Sequence, residues 1–333
     1  MPIRCPGKPI AEFYSIFSEA EISAIAQSLE MSREIPLKYS YKGQGAKKWD
    51  RFYLQHLVAR WYRSSNPEVQ LLAQNFKLIH SHCTTAHKLN ILDVGAGNSY
   101  PVKTFVRQFH RFNPIERYIA LDISPELLAV SEGNFKRWFP TIQFYSYLID
   151  IEKSCIPKTI VDCEDENRTN IILHLGVTMG NHRNRIGVLK NFRYSMKKGD
   201  LLIVASEIGS NSQWNGIARG GFKYHVEQVY AGIKRLMAIG DEDCELVRKY
   251  DEESDSLVAN IKFIKDYEFE FNVRGTDKKV TVSEGEEITI WRQHKYEISE
   301  LLQEVEKAGL QLIRYTTNKY SSNIMVICEV ADF

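Results

Sequence analysis

Two glycines and a carboxylate carry the strongest chemical signal in this chain. Gly95 and Gly97 lie in the run Asn90 to Tyr100, N-I-L-D-V-G-A-G-N-S-Y, and Asp122 closes the later run Tyr118-Ile119-Ala120-Leu121-Asp122. Glycine has no Cβ, so the backbone at 95 and 97 can turn sharply and come close to a ligand. An acid at the tip of the next strand is placed to grip a pair of ribose hydroxyls. Together these residues describe a nucleoside site. The elements that must position them follow from spacing. Ile91, Leu92 and Val94 make a short apolar strand, and Val102, Phe105, Val106 and Phe109 recur every three or four residues, as on one face of a helix. Strand, glycine turn and helix form the opening unit of a parallel nucleotide-binding sheet.

Spacing also chooses the nucleotide. A dinucleotide fold needs a third glycine three residues after the second, where helix and pyrophosphate crowd together. Position 100 is tyrosine. S-adenosylmethionine has no phosphate and needs only a glycine turn beside its methionine portion and an acid for its ribose. The D-V-G-A-G run followed by L-D-I-S meets that need, and a third strand from Ile142 to Ile149 ends at Asp150. The fourth strand, Asn170 to Leu175, closes in G-V-T-M-G-N, ending at Asn181. Ligands in open parallel sheets lie beyond the carboxyl ends of the strands, so Asn181 is expected beside the cofactor. Its amide can both donate to and accept from an amine. The chemistry indicated is methyl transfer.

Composition narrows the partners. The 333 residues are 44% apolar and 26% charged, which suits a globular protein with one large domain or a core domain plus an insertion. The net charge of +1, from 43 basic and 42 acidic residues, leaves no basic stripe for nucleic acid or a membrane surface. Six scattered cysteines without a CxxC suit a reducing cytoplasm, and nine histidines show no metal-ligand spacing. No metal is expected, and no secretion signal or transmembrane run is read. A monomer or weak dimer is expected.

Along the chain, helices are expected from Glu21 to Met31, Lys48 to Arg60 and Val69 to His80, with an aromatic loop from Pro36 to Gly45 between the first two. Val188 to Met196 reads as a helix and Leu201 to Ser206 as a fifth strand. The stretch from Ser210 to Leu257 reads as helical and mixed, including Tyr224 to Ala238. Ile261 to Val273 alternates as a single strand, and shorter strands, Lys279 to Ser283 and Glu287 to Trp291, flank Gly285. A helix from Glu297 to Ala308 and strands Leu310 to Tyr315 and Asn323 to Val330 close the chain. The fold expected is α/β: a Rossmann-like, seven-stranded class I methyltransferase sheet with a smaller substrate-covering subdomain. The sheet domain is assigned residues 66–209 and 291–333, and the subdomain residues 20–65 and 210–290.

The runs Asn90 to Ser99, Ala120 to Ser124, Gly176 to Asn181 and Gly285 to Tyr296 (G-E-E-I-T-I-W-R-Q-H-K-Y) occur in the order seen in the histidine-specific methyltransferase family, which the chain resembles over nearly its whole length. That family includes histidine Nα-methyltransferases of the bacterial ergothioneine pathway and fungal N-methyltransferases acting on prenylated tryptophan. The resemblance implies that Asp93, Gly95, Ala96, Gly97, Asp122, Ile123, Asp150 and Ile151 hold S-adenosylmethionine, which leaves as S-adenosylhomocysteine. It implies that Asn181 and Tyr62 hold the substrate's amine and that Tyr41 lines the pocket. The family's tyrosine in the middle insertion matches neither Tyr224 nor Tyr230.

One departure bears on the substrate. Where histidine-specific members carry a glutamate and, two residues on, a serine against the imidazole, this chain has Trp291 and Gln293. An acceptor for an imidazole N–H is replaced by an indole, which removes a charged partner and fills volume with apolar surface. The expected substrate is therefore the amine of a small aromatic or apolar metabolite derived from an amino acid. Histidine itself, an oxygen or carbon nucleophile, a peptide terminus and a non-catalytic binding protein are the alternatives. His294 is weighed as an acid or base near the pocket, and His174 as a core residue.

Overall fold

The computed structural model describes residues 5–56, 66–83, 88–161, 168–213, 221–273 and 275–331. The chain divides into two compact units, Met1–Trp49 with Asn211–His294 and Asp50–Ser210 with Lys295–Phe333.

The second, larger unit is built on seven strands: β1 (Lys88–Val94), β2 (Ile115–Asp122), β3 (Gln143–Leu148), β4 (Arg168–His174), β5 (Leu201–Glu207), β6 (Leu310–Thr317) and β7 (Asn323–Val330). Their order across the sheet is β6-β7-β5-β4-β1-β2-β3. The first five run parallel, while β7 is antiparallel to both β5 and β6. This is the seven-stranded α/β sheet expected from the sequence. The central strands are apolar on consecutive positions because helices cover both faces. Leu89, Ile91, Ile171, Leu173, Leu201 and Ile203 feed one core, and Leu92, Val94, Ile172, Leu202 and Val204 the other.

Helix starts in this unit are written in side-chain chemistry. In α1 (Pro67–His82), Asn66 caps by accepting from the Val69 N–H at 3.2 Å, with Pro67 in the first turn. After α2 (Lys103–Phe112), the helix α3 (Pro125–Trp138) repeats the device: Ser124 accepts from Leu127 N–H at 3.2 Å ahead of Pro125. Proline there loses no bond, since its missing N–H would have been unpaired anyway. A single turn, α4 (Thr178–Asn181), follows β4, and α5 (Arg185–Ser195) and α6 (Ile298–Lys307) complete the set that positions the site.

The smaller unit holds two three-stranded sheets. In one, Tyr267–Val273 lies between Cys5–Gly7 and Thr276–Val282; in the other, Ser256–Phe263 lies between Cys244–Asp251 and Glu287–Gln293. Helices Ala11–Ile16, Glu19–Ser32 and Gly221–Met237 pack with them around Phe13, Leu29, Val226, Phe263 and Phe271.

Three expectations for this unit are corrected. The run Ile261 to Val273 is two strands in two different sheets. Leu257, Ala259, Ile261 and Phe263 point inward before the break and Tyr267, Phe269 and Phe271 after it. The even spacing from 263 to 267 keeps the alternation in phase and hides the turn at Ile264 to Asp266. The strands on either side of Gly285 pair antiparallel with Tyr267–Val273 and Ser256–Phe263. Cys244–Asp251, read as part of a helical stretch, is a strand paired to Ser256–Phe263. The aromatic loop at 36–45 contains a 3-10 turn, Leu37–Tyr41, and the start of the helix Gln44–His56.

The unit boundaries also differ from those expected. Residues 291–294 belong with the smaller unit, because Glu287–Gln293 is a single strand paired from Glu287↔Lys262 to Gln293↔Leu257. Asp50–His56 belongs with the sheet, where Asn98 Nδ2 donates to Asp50 Oδ1 at 2.8 Å.

Asp200, in the turn before β5, fixes the start of two strands. Its carboxylate accepts from the Asn170 N–H at 2.8 Å, Asn170 Nδ2 at 3.2 Å and the Lys197 N–H at 3.0 Å. Asp200→Ala strands three donors in a fully buried spot and is predicted to lower the unfolding free energy by about 2–4 kcal/mol. Chemical denaturation measures it, and a loss under about 0.5 kcal/mol would contradict this role.

Candidate active site

The C-terminal edge of the sheet is built around the turn after β1. Gly95 and Gly97 adopt φ of 74° and 52°, the left-handed region where a side chain is strained. The Gly95 and Ala96 N–H groups donate to the Leu121 carbonyl at 2.7 and 3.3 Å, which binds the turn to the end of β2. The Gly97 N–H donates to Asp122 Oδ2 and the Ser124 N–H to Asp122 Oδ1, each at 3.0 Å. Asp122 is 7% exposed, and burial raises its pKa while the Ser124, Gly97 and Ile123 N–H groups pull it back. These backbone donors leave the carboxylate acceptor capacity for a ligand.

Asp93 stands elsewhere than a ligand contact would require. It is 3% exposed, behind the turn, and Tyr118 Oη donates to its Oδ2 at 2.5 Å. Tyr118 also meets Ser99 Oγ at 2.9 Å, and Ser99 meets Ser131 Oγ at 2.5 Å. Ser99, at φ 58°, is held in a strained conformation by these bonds. This buried polar chain supports the glycine turn from below. Nothing in local spacing marks it, because its members come from β1, the turn, β2 and α3.

Ala96 is 5% exposed and part of the core, so only its backbone is free to serve a ligand. Ile123 is half-buried at the end of β2. Ile151 packs in the other core, and its carbonyl accepts from Asn191 Nδ2 at 2.7 Å. Asp150 follows β3, where its Oδ1 accepts from the Glu152 N–H at 3.2 Å, and the Ile149 N–H donates to the Asp122 carbonyl at 3.0 Å. Tyr100, at the position of a third glycine, packs edge-on against Trp138 with centroids 4.7 Å apart.

Asn181 ends α4 beyond β4. Its Oδ1 is closed to water and accepts no hydrogen bond among the described residues. His182 follows it and reaches His174, with Nε2 atoms 3.2 Å apart. His174 is thus more than core filling: its Nδ1 meets the Val94 carbonyl at 2.9 Å, and burial lowers its pKa to about 3. Acid groups surround this edge. Burial and the charge of Glu207 raise Glu68, and burial, Glu68 and Asp93 raise Tyr53.

The remaining expected residues lie in the smaller unit or outside the described residues. Tyr62 is outside them. Tyr41 is half-buried, stacked on His225 at 5.8 Å and edge-on to Trp49 at 6.4 Å. His225 and Trp49 also line a cavity of about 60 Å³ with Phe17, Tyr39, Ser40 and Ile233. Trp291 and Gln293 are 4% and 3% exposed. A β-bulge between Thr289 and Trp291 turns both Ile290 and Trp291 into the apolar core of that unit. His294 is fixed by donating from Nδ1 to the Asp255 carbonyl at 2.7 Å. Tyr230 donates to the Cys244 carbonyl at 3.2 Å, and Tyr224 is exposed. Among the described residues no cluster of metal-ligating side chains occurs, and no helix is long and apolar enough to cross a membrane.

Glycine turn, buried ribose-type acid and strand-end acids fit S-adenosylmethionine, and with this sheet order they define an S-adenosylmethionine-dependent methyltransferase. The profile described as "Histidine-specific methyltransferase, SAM-dependent" matches residues 21–330. The chain belongs to that family. Among solved structures it is similar to an S-adenosylmethionine-dependent methyltransferase from Clostridium acetobutylicum, at 12% identity over 86% of this chain and 99% of the other, with a TM-score of 0.44. It is also similar to DesVI of Streptomyces venezuelae (12%, 86% and 98%, TM-score 0.43) and to the glycopeptide N-methyltransferase MtfA (10%, 78% and 90%, TM-score 0.41). A search of curated proteins finds no match.

Two outcomes are expected here. Asp122→Asn should weaken S-adenosylmethionine binding about 10- to 100-fold by calorimetry, the loss of a charged hydrogen-bond acceptor. The second concerns Asp93, which burial raises from 3.8 to about 7, the Tyr118 bond opposing and the Asp122 charge adding. A carboxyl whose folded pKa is raised costs stability as it ionises: its contribution falls with rising pH from about 4 to 7 and is flat above. Asp93→Asn should therefore gain stability relative to wild type across that window. A difference constant with pH would refute the assignment.

Proposed function

We propose that this enzyme transfers methyl groups to the amine of a small aromatic or apolar molecule derived from an amino acid, a specialised metabolite rather than histidine. The observation that carries this is Asn181 Oδ1, an acceptor closed to water with no donor in reach among the described residues. Leaving such a group unpaired costs about 1–3 kcal/mol, and a substrate N–H is the donor that would complete it.

Bound S-adenosylmethionine supplies an electrophilic methyl group on a sulfonium. The protein's part is to hold the acceptor nitrogen with its lone pair free and aligned, which can account for much of the rate. Asn181 orients the amine, and Tyr62 is assigned to it as a second partner by resemblance. An amine needs no dedicated base once its proton has left to solvent. The acidic edge formed by Asp122, Glu68 and Glu207 favours the cationic donor and product alike.

Against histidine stands the departure from the resemblance at 291 and 293, where histidine-specific members carry a glutamate and a serine. A carboxylate that accepts from an imidazole N–H discriminates strongly for that ring. This chain has a carboxylate at neither position: 291 is tryptophan and 293 is glutamine. Both are buried in the smaller unit, whose core is rich in aromatic side chains.

A panel of free amines, with products identified by mass, tests this directly. Tryptophan-like or other apolar amines should turn over with kcat/KM at least about tenfold above histidine, the discrimination expected for one lost charged contact. Efficient trimethylation of histidine would falsify the substrate class. Asn181→Ala should lower kcat/KM for the preferred amine about 10- to 100-fold while leaving S-adenosylmethionine affinity within about threefold.

A further inference from the structure

Three contacts join the ends of three strands beside the site. His174 Nδ1 lies 2.9 Å from the carbonyl of Val94, the last residue of β1. His174 Nε2 lies 3.2 Å from His182 Nε2, and His182 Nδ1 lies 3.1 Å from Glu152 Oε1, in the turn after β3. The two imidazoles are nearly parallel, at 17° with centroids 5.4 Å apart. His174 also sits directly under the glycine turn: a Cβ at Gly95 would meet its ring at 3.9 Å.

Counting protons settles the charge of this chain. Both ends, a carbonyl and a carboxylate, are acceptors only. Three contacts in series therefore need three N–H protons from two rings, whereas two neutral imidazoles carry two. With fewer, two lone pairs face each other at one contact. The third proton belongs on a ring rather than on Glu152, since a carboxyl is ordinarily the stronger acid. His174 is 1% exposed and meets a carbonyl and an imidazole rather than a carboxylate, so it is the ring placed to stay neutral. His182, whose side chain is 11% exposed and touches the carboxylate, is the ring placed to carry that proton.

We propose that His174, His182 and Glu152 form a positioning chain holding one extra proton, and that this chain fixes the Asn181 turn against the glycine turn. His182 is the residue next to Asn181, so the imidazolium anchors the backbone that presents the substrate's acceptor. The groups facing His182 are Glu152 from the turn after β3 and His174 from β4; Arg183 follows it in the chain, and Arg185 turns to Glu300 and Glu304 instead. The role in substrate binding rests on the assignment of Asn181 made above; the charge state does not.

Nitrogen-15 NMR of the histidine-labelled wild-type protein near neutral pH tests the charge state. We expect one imidazole with both nitrogens protonated, assigned to His182 by its loss in His182→Gln, and a neutral His174 protonated on Nδ1. Two neutral rings in the folded protein, or a cationic His174, would overturn the proposal. Kinetics tests positioning: His182→Gln and Glu152→Gln should each raise the KM of the preferred amine about tenfold, with kcat and S-adenosylmethionine affinity within about threefold. Unchanged KM in both, where Asn181→Ala raises it, would refute the positioning role. Unchanged KM in Asn181→Ala with the NMR signature intact would instead remove Asn181 as the amine's partner.

Discussion

The Asp122 carboxylate is the constraint on which the site depends. One oxygen holds the Gly97 N–H and the other the Ser124 N–H, so a single buried group fixes both the turn after β1 and the start of α3. Its position follows from the parallel pairing of β1 with β2, which sets Val94 beside Leu121 and carries the two chain reversals to one edge. The network of Asp93, Tyr118, Ser99 and Ser131 stiffens the same turn from beneath. A ligand arriving there meets a preformed carboxylate, and the ordering cost has already been met in folding.

Around that hub the edge collects acids and one unfilled acceptor. Burial and the charge of Glu207 raise the Glu68 carboxyl, while Asn181 offers an oxygen with no partner among the described residues. Family membership accounts for the donor, and the acceptor is where members can diverge. Positions 291 and 293 lie on a strand of the other unit.

The large sheet was legible because its physics is local. Strands covered on both faces read as continuous apolar runs, whereas the helix start at Ser124-Pro125 was not read. The glycine turn and the place of Asp122 at a strand end were legible for the same reason. The smaller unit was less so. Its alternation stays in phase through the turn at Ile264 to Asp266, so periodicity alone fuses two strands that belong to different sheets. The buried networks were invisible: Tyr118 finds Asp93 across 25 residues, and His182 finds Glu152 only once β3 and β4 are set in one sheet. Trp291 looked like a pocket residue from its match to the family, and the bulge that turns it into the core has no signature in its own residues.

The most direct measurement is a crystal structure with S-adenosylhomocysteine and a turned-over amine bound together. The account predicts the homocysteine over Gly95 to Gly97, a ribose hydroxyl on Asp122 and an amine N–H on Asn181 Oδ1, within ordinary hydrogen-bond distance of about 2.7–3.2 Å. An amine held away from Asn181, with that oxygen still unpaired, would contradict it.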